Sequence, residues 1–177
     1  GKVDFIAGPG NAFVQMAKKQ LFGLVGIDGF FGPSEVVVLI DDTADAACVA
    51  GDLLAQAEHD PGCCFLVSSC RGKMDEVLTE VQRQLPERRR RNAIASALQD
   101  WSAAVLVPDG AAAIETVNAL AAEHVLLAVA DPEAMLRHIR HGGAFFLGDG
   151  SPVLSGDYYA GPSHCLPTGT TARYGSG

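Results

Sequence analysis

Apolar positions in this chain alternate between short unbroken runs and helical stripes. Val36-Val37-Val38-Leu39-Ile40 is a continuous β-branched run of the kind found in strands buried on both faces. Similar runs at Cys63 to Val67, Ala103 to Val107, Val125 to Val129 and Ala144 to Leu147 predict four more strands. Between them the period changes. Asp45 to His59 is rich in Ala and Leu and stops at Asp60-Pro61-Gly62, which predicts a helix. Met74, Val77, Leu78, Val81 and Leu85 form one helical stripe, ended by Pro86, and Glu87 to Leu98 predicts a further helix. Two more run from about residue 111 to 120 and from Asp131-Pro132, an N-cap with Pro in the first turn, to about 139. Strands alternating with helices mean βαβ units. The expected fold class is α/β: a Rossmann-like three-layer domain with a mainly parallel sheet of about five strands and helices on both faces.

The first 34 residues stand outside this alternation. Gly8-Pro9-Gly10-Asn11 is turn chemistry, Asn11 is a good N-cap for a helix from Ala12 to about Phe22, and Gly23, Gly26 and Gly29 then interrupt the chain. Residues 1–34 therefore read as the end of a preceding unit or a connecting segment, and residues 35–177 as the α/β domain. Beyond Leu147 the chain enters a loop rich in Gly and Pro that carries Asp149, Asp157, Tyr158-Tyr159 and His164. Long loops without regular structure are more often functional than decorative, and α/β sheets take ligands at the carboxyl ends of their strands. A solvated C-terminal tail is the alternative.

Composition narrows the function. A chain of 177 residues with 48% hydrophobic and 19% charged residues suits one soluble globular domain. The net charge of −8 argues against nucleic-acid or anionic-membrane surfaces, and no apolar run approaches the ~20 residues of a membrane span. The one basic cluster, Arg88 to Arg91, reads as the exposed first turns of a helix. The five cysteines, Cys48, Cys63, Cys64, Cys70 and Cys165, form neither a disulfide framework nor a CxxC zinc site; buried, reduced thiols in a cytoplasmic protein are the expectation.

Two constellations could carry chemistry. Gln56 and His59 are three apart at the end of the second predicted helix, so they share a face. With Asp157 they would offer one nitrogen and two oxygen donors to zinc, leaving a position open. A histidine bonding the last helical carbonyls explains His59 equally simply. Glu123-His124, just before the fourth strand, could divide proton transfer, His accepting from an alcohol and Glu activating water. Adjacent residues in an extended segment point to opposite sides, however, and a surface Glu beside a packed His remains open. His138 and His141 flank a helix end and suit capping of its carbonyls. No GxGxxG follows a strand, and there is no GxxxxGK[ST] loop or GxSxG elbow.

The order of the short motifs is more specific than any one of them. Gly8-Pro9-Gly10-Asn11, Gly32-Pro33-Ser34-Glu35, Gln56-Ala57-Glu58-His59 and Glu123-His124 follow one another, then Phe146-Leu147-Gly148-Asp149, Ser155-Gly156-Asp157-Tyr158 and Ser163-His164-Cys165-Leu166-Pro167-Thr168. Together they resemble the histidinol dehydrogenase family over essentially the whole chain. That family oxidises L-histidinol through L-histidinal to L-histidine in two NAD-dependent steps, using zinc, as an intertwined homodimer with shared active sites. The resemblance implies Gln56, His59 and Asp157 as zinc ligands, with a fourth, a histidine, from the partner subunit. It implies Glu123 and His124 as the catalytic pair, Ser34 and His164 as substrate contacts, and Asn11 as an NAD contact. Residues 1–34 would then end an NAD-binding unit.

This sequence departs from the family in three ways. It reads as the middle-to-late portion of a longer enzyme without much of the NAD-binding domain, it lacks the C-terminal part that completes the partner's site, and Gly29-Phe30-Phe31 replaces the usual residues before Gly-Pro-Ser-Glu. The alternatives are an isolated non-catalytic domain of that family, a relative that oxidises another small polar alcohol, and a metal-assisted hydrolase in which Glu123 activates water.

Overall fold

The computed structural model describes residues 1–59, 62–161 and 165–175, residue 157 by its backbone alone. Its elements in chain order are β1 (Phe5–Ile6), α1 (Ala12–Leu21), β2 (Gly26–Ile27), β3 (Glu35–Ile40), α2 (Ala46–Ala57), β4 (Cys63–Ser68), α3 (Arg71–Gln84), α4 (Arg91–Trp101), β5 (Ala103–Leu106), α5 (Gly110–Leu120), β6 (His124–Ala128), α6 (Pro132–Leu136) and β7 (Ala144–Leu147). Strands β3 to β7 form one all-parallel sheet in the order β5-β4-β3-β6-β7. The order reverses at β3, the doubly wound arrangement of Rossmann-like domains. All five predicted strands are present.

The β-branched run is the centre of this sheet. Val36, Val38 and Ile40 pack beneath α2, α3 and α4 with Leu53, Met74, Val77 and Ile94. Val37 and Leu39 face the other way, toward Ala113 and Val117 of α5 and toward Ile139. Side chains alternate across a strand, so one apolar run supplies two cores and fixes the three layers.

Apart from this sheet, β1 and β2 pair in parallel, with α1 between them in the chain. Asn11 caps α1, its side-chain oxygen accepting from the N–H groups of Phe13 and Val14. Lys18 is 1% exposed. Its ammonium donates to Asp28 Oδ1 at 2.7 Å, to the Gly8 carbonyl and to the Gly29 carbonyl at 3.4 Å, and it lies 5.0 Å from the Phe31 ring centroid. That cation pins the Gly8-Pro9-Gly10 turn to the Gly29–Phe31 segment.

Several local expectations need correction. Helix α3 begins at Arg71, a turn before the apolar stripe starts. Arg88 to Arg90 are not the first turns of a helix: Pro86 sits in a 3-10 turn, Leu85–Glu87, and α4 starts only at Arg91. Helix α6 ends at Leu136 because Asn118 takes over the backbone beyond it, donating to the His138 carbonyl at 3.0 Å and accepting from Arg140 N at 2.6 Å. Asn118 thus does the capping expected of His138 and His141. The segment after β7 is neither a structureless loop nor a solvated tail. It contains a π-helical turn, Gly156–Ala160, and a 3-10 turn, Thr171–Arg173, and it buries Val153, Leu166 and Thr168. None of the five cysteines is in a disulfide, and only Cys64 is buried; Cys48 is exposed. Burial pushes the Cys64 thiol up to about 12. No helix among the described residues is long and apolar enough to cross a membrane.

Candidate functional site

A cleft of about 460 Å³ opens between the small N-terminal motif and the sheet, lined by Pro9, Gly10, Phe31, Gly32, Ser34, His59, Glu123, His124, Tyr158, Cys165 and Leu166. A second hollow of about 360 Å³ along β7 shares His124 and Leu166 with it. Ser34 precedes β3, His124 opens β6 and His59 lies just before β4, so the cleft sits at the amino ends of the strands. The expectation of a site at the carboxyl ends is therefore corrected. There, Asp41 Oδ2 accepts from Ala130 N at 2.8 Å and Asp149 Oδ2 from Asp45 N at 2.9 Å, which laces the carboxyl-edge loops to one another. Asp149 is a structural group of that edge and does not line the cleft.

Helix α2 runs back across the sheet and delivers Gln56 and His59 to the amino edge. The helix ends at Ala57, so His59 stands in the bend beyond it rather than on the helical face. Its Nδ1 lies 3.2 Å from the Gln56 carbonyl. A carbonyl there takes an N–H, which leaves Nε2 as the ring's acceptor, the tautomer of an Nε2 metal ligand. The simple helix-end role and the ligand role are thus compatible. Gln56 is buried, and its Nε2 donates to Ser34 Oγ at 2.9 Å. The amide oxygen, a hard donor, takes no hydrogen bond among the described residues. Gly62 is required just beyond, since a Cβ there would lie 2.1 Å from the Gln56 carbonyl oxygen.

Glu123 and His124 enter from the other side. Helix α5 ends at Leu120, its C-cap Ala121 lies in the left-handed region with φ 46°, and the chain turns from there into β6. Both residues are buried, at 6% and 5% exposure. The concern that they point apart is not borne out. Glu123 stands just outside the strand, and its Oε2 comes within 3.6 Å of His124 Nδ1. His124 Nδ1 also lies 3.3 Å from the Glu35 carbonyl, and its ring packs 5.9 Å from that of Phe146. The Glu35 carbonyl at hydrogen-bond distance from Nδ1, with the Glu123 carboxylate just beyond it, favours the Nδ1–H tautomer of His124.

Of the other expected site residues, Ser34 lines the cleft and is tied to Gln56, whereas Asn11 is exposed at the rim with its side-chain oxygen engaged in the helix cap. His164 and the side chain of Asp157 lie outside the described residues. The backbone of residue 157 belongs to the π-helical turn next to Tyr158, which lines the cleft. Sequence reasoning missed Glu35, Thr168 and Phe31 as site-building residues. Glu35 could have been noticed inside the Gly-Pro-Ser-Glu run, but Thr168 Oγ1, which accepts from Gly32 N, acts across 136 residues and leaves no local signal.

Fold and site together define a class: a doubly wound α/β protein whose cleft, at the amino edge of the sheet, sets a buried Glu–His pair in company with His59 and Ser34. The comparisons are specific beyond that. The histidinol dehydrogenase family profile matches residues 1–177, and the chain belongs to the histidinol dehydrogenase family. It is 50% identical to a histidinol dehydrogenase of Rhodopirellula baltica over 175 residues, covering 99% of this chain and 38% of that one. Against the Bacillus subtilis histidinol dehydrogenase it is 46% identical over 175 residues, covering 98% of this chain and 41% of that one. The crystal structure of histidinol dehydrogenase from Elizabethkingia anophelis superposes with a TM-score of 0.93 at 38% identity, over 100% of this chain and 41% of that chain. The chain thus spans about two fifths of the length of the relatives it matches.

Proposed function

We propose that this chain supplies the acid–base pair and part of the zinc site of an NAD-dependent histidinol dehydrogenase, which oxidises L-histidinol through L-histidinal to L-histidine. In this reading Gln56, His59 and Asp157 hold the metal together with a histidine of a partner subunit, and Ser34 and His164 contact the substrate. Asn11 contacts NAD, residues 1–34 being the end of an NAD-binding unit. The donor chemistry supports the metal assignment: an amide oxygen without a hydrogen bond among the described residues, beside an imidazole whose Nδ1–H is held by a carbonyl. When bound, zinc held by these residues would supply a template for the substrate, and the nicotinamide would be the hydride acceptor.

The protein's own groups move the protons. His124, neutral and protonated on Nδ1, takes the alcohol proton on Nε2. In the second oxidation the Glu123 carboxylate accepts a proton from the water that adds to the aldehyde. The observation that carries this reading is the convergence of Glu123 and His124 in one cleft with His59 and Ser34. In the full-length enzyme, His124→Ala is expected to lower kcat by about 10²- to 10⁴-fold, the usual contribution of general acid–base catalysis, with zinc content unchanged. Turnover at the wild-type rate would refute the assignment, and product formation without NAD would favour hydrolysis instead.

A further inference from the structure

The least expected feature of the cleft is how much of its geometry passes through Glu35. Strand pairing sets Val36 opposite His124. Glu35 and Glu123 therefore meet one residue before the ladder begins, and there they exchange bonds. Glu35 N donates to Glu123 Oε2 at 3.1 Å, and Glu123 N donates to Glu35 Oε1 at 3.3 Å. The same Oε1 accepts from Gly169 N at 3.0 Å, which brings in the C-terminal segment. The Glu35 carbonyl lies 3.3 Å from His124 Nδ1. One residue thus orients the Glu123 carboxylate, anchors the backbone beneath it, ties both to the 168–170 turn and offers His124 its Nδ1 partner. Gly143 backs the arrangement closely: a Cβ there would lie 2.6 Å from the Glu123 carbonyl oxygen.

We propose that Glu35 is the positioning residue of this acid–base pair, holding His124 as its Nδ1–H tautomer and Glu123 in its working orientation. This role rests on the proposed function for its kinetic consequence, but not for its structural one. Glu35 touches no reacting atom. Its side chain acts by giving the Glu123 and Gly169 N–H groups a half-buried acceptor, which keeps the start of β6 against the start of β3. Without it those two donors lose their partner, and the segment bearing both catalytic groups relaxes. Displacement of about 1 Å at a reacting group can cost on the order of 10²-fold in rate.

The test has two independent readouts. The first is the ¹⁵N spectrum of the imidazoles in histidine-labelled protein, with His124 assigned by loss of its signals in His124→Ala. Wild-type protein is expected to show His124 protonated on Nδ1 with an unprotonated Nε2, and Glu35→Ala to show a mixed tautomer population. The second is steady-state kinetics of the full-length enzyme. Glu35→Ala is expected to lower kcat about 100-fold with KM for histidinol within about threefold of wild type, since no substrate contact is lost. Both side-chain bonds fall on one oxygen, so Glu35→Gln retains its acceptor and is expected to restore most of kcat.

An Nε2–H tautomer in the wild type would overturn the proposal, as would unchanged kcat in a folded Glu35→Ala enzyme. Should Glu35→Ala not fold, Glu35→Asp decides. Its shorter arm is expected to lose kcat while keeping the charge, and wild-type kcat there overturns the proposal. If His124→Ala itself remains active, the functional reading fails while the tautomer measurement still tests Glu35.

Discussion

Lys18 shows how a single buried charge can shape a site it does not touch. Its ammonium satisfies Asp28 and two carbonyls, and these contacts hold the Pro9-Gly10 and Phe31 walls of the cleft. Burial pushes the Asp28 carboxyl up, but hydrogen bonds from Gly8 N, Lys18 and Gly29 N outweigh it and hold Asp28 below the usual carboxylate range. A depressed carboxyl stabilises the fold above its unfolded value, and that stability is lost as pH falls through the folded value. Lys18→Met keeps the volume and strands the carboxylate. It is expected to cost about 2 kcal/mol in urea unfolding at pH 7, the low end for breaking a buried pair because Asp28 is partly exposed. The loss should shrink in acid, as pH falls below about 4 and toward the depressed folded value, where Asp28 takes up its proton and no longer needs the cation. Equal losses at both pH values would contradict this account.

At the scale of elements, the helix that carries Gln56 also carries Asp52, a turn earlier on a buried face. Asp52 Oδ1 accepts from Val153 N at 3.2 Å, so it docks the segment after β7 onto α2. Desolvation first, and then the nearby Asp149 charge, raise its carboxyl to about 6 despite that hydrogen bond. A raised carboxyl favours folding while it stays protonated, and the benefit is lost as pH rises from about 4 through 6. Asp52→Asn retains the acceptor for Val153 without the charge. It is expected to raise stability at pH 8 by on the order of 1 kcal/mol, with the gain fading toward pH 4. Thermal unfolding at the two pH values checks both sign and window.

The same elements show what a sequence makes legible. The five strands and their alternation with helices were readable because β3 is apolar at every position from Val36 to Ile40, and such runs have few other uses. Helix ends were less legible where a distant group decides them, as Asn118 does for α6. Motif order made Gln56, His59, Glu123 and His124 nameable. Their convergence at the amino edge depends on strand register and on the direction of α2, which no local pattern encodes. Glu35 lies inside the legible Gly-Pro-Ser-Glu run, but its bonds to Glu123 cross 88 residues, so its role has no local signal.

At the scale of the whole molecule, the fold places structure and chemistry at opposite ends of one sheet. The carboxyl edge is laced by Asp41 and Asp149, while the amino edge opens into the cleft beside the Lys18-centred motif. Two layers contribute separate halves of the proposed site: α2 brings the metal donors, and the β3–β6 junction brings the acid–base pair. The central claim is that these halves serve one reaction, with the α2 end as a zinc site. Its most direct test is a calorimetric zinc titration of the metal-free full-length enzyme and of its His59→Ala variant, with and without histidinol. The account predicts tight zinc binding strengthened by histidinol in the wild type, and affinity at least ~100-fold weaker in His59→Ala with the fold intact. Zinc bound equally tightly without the His59 imidazole would contradict it.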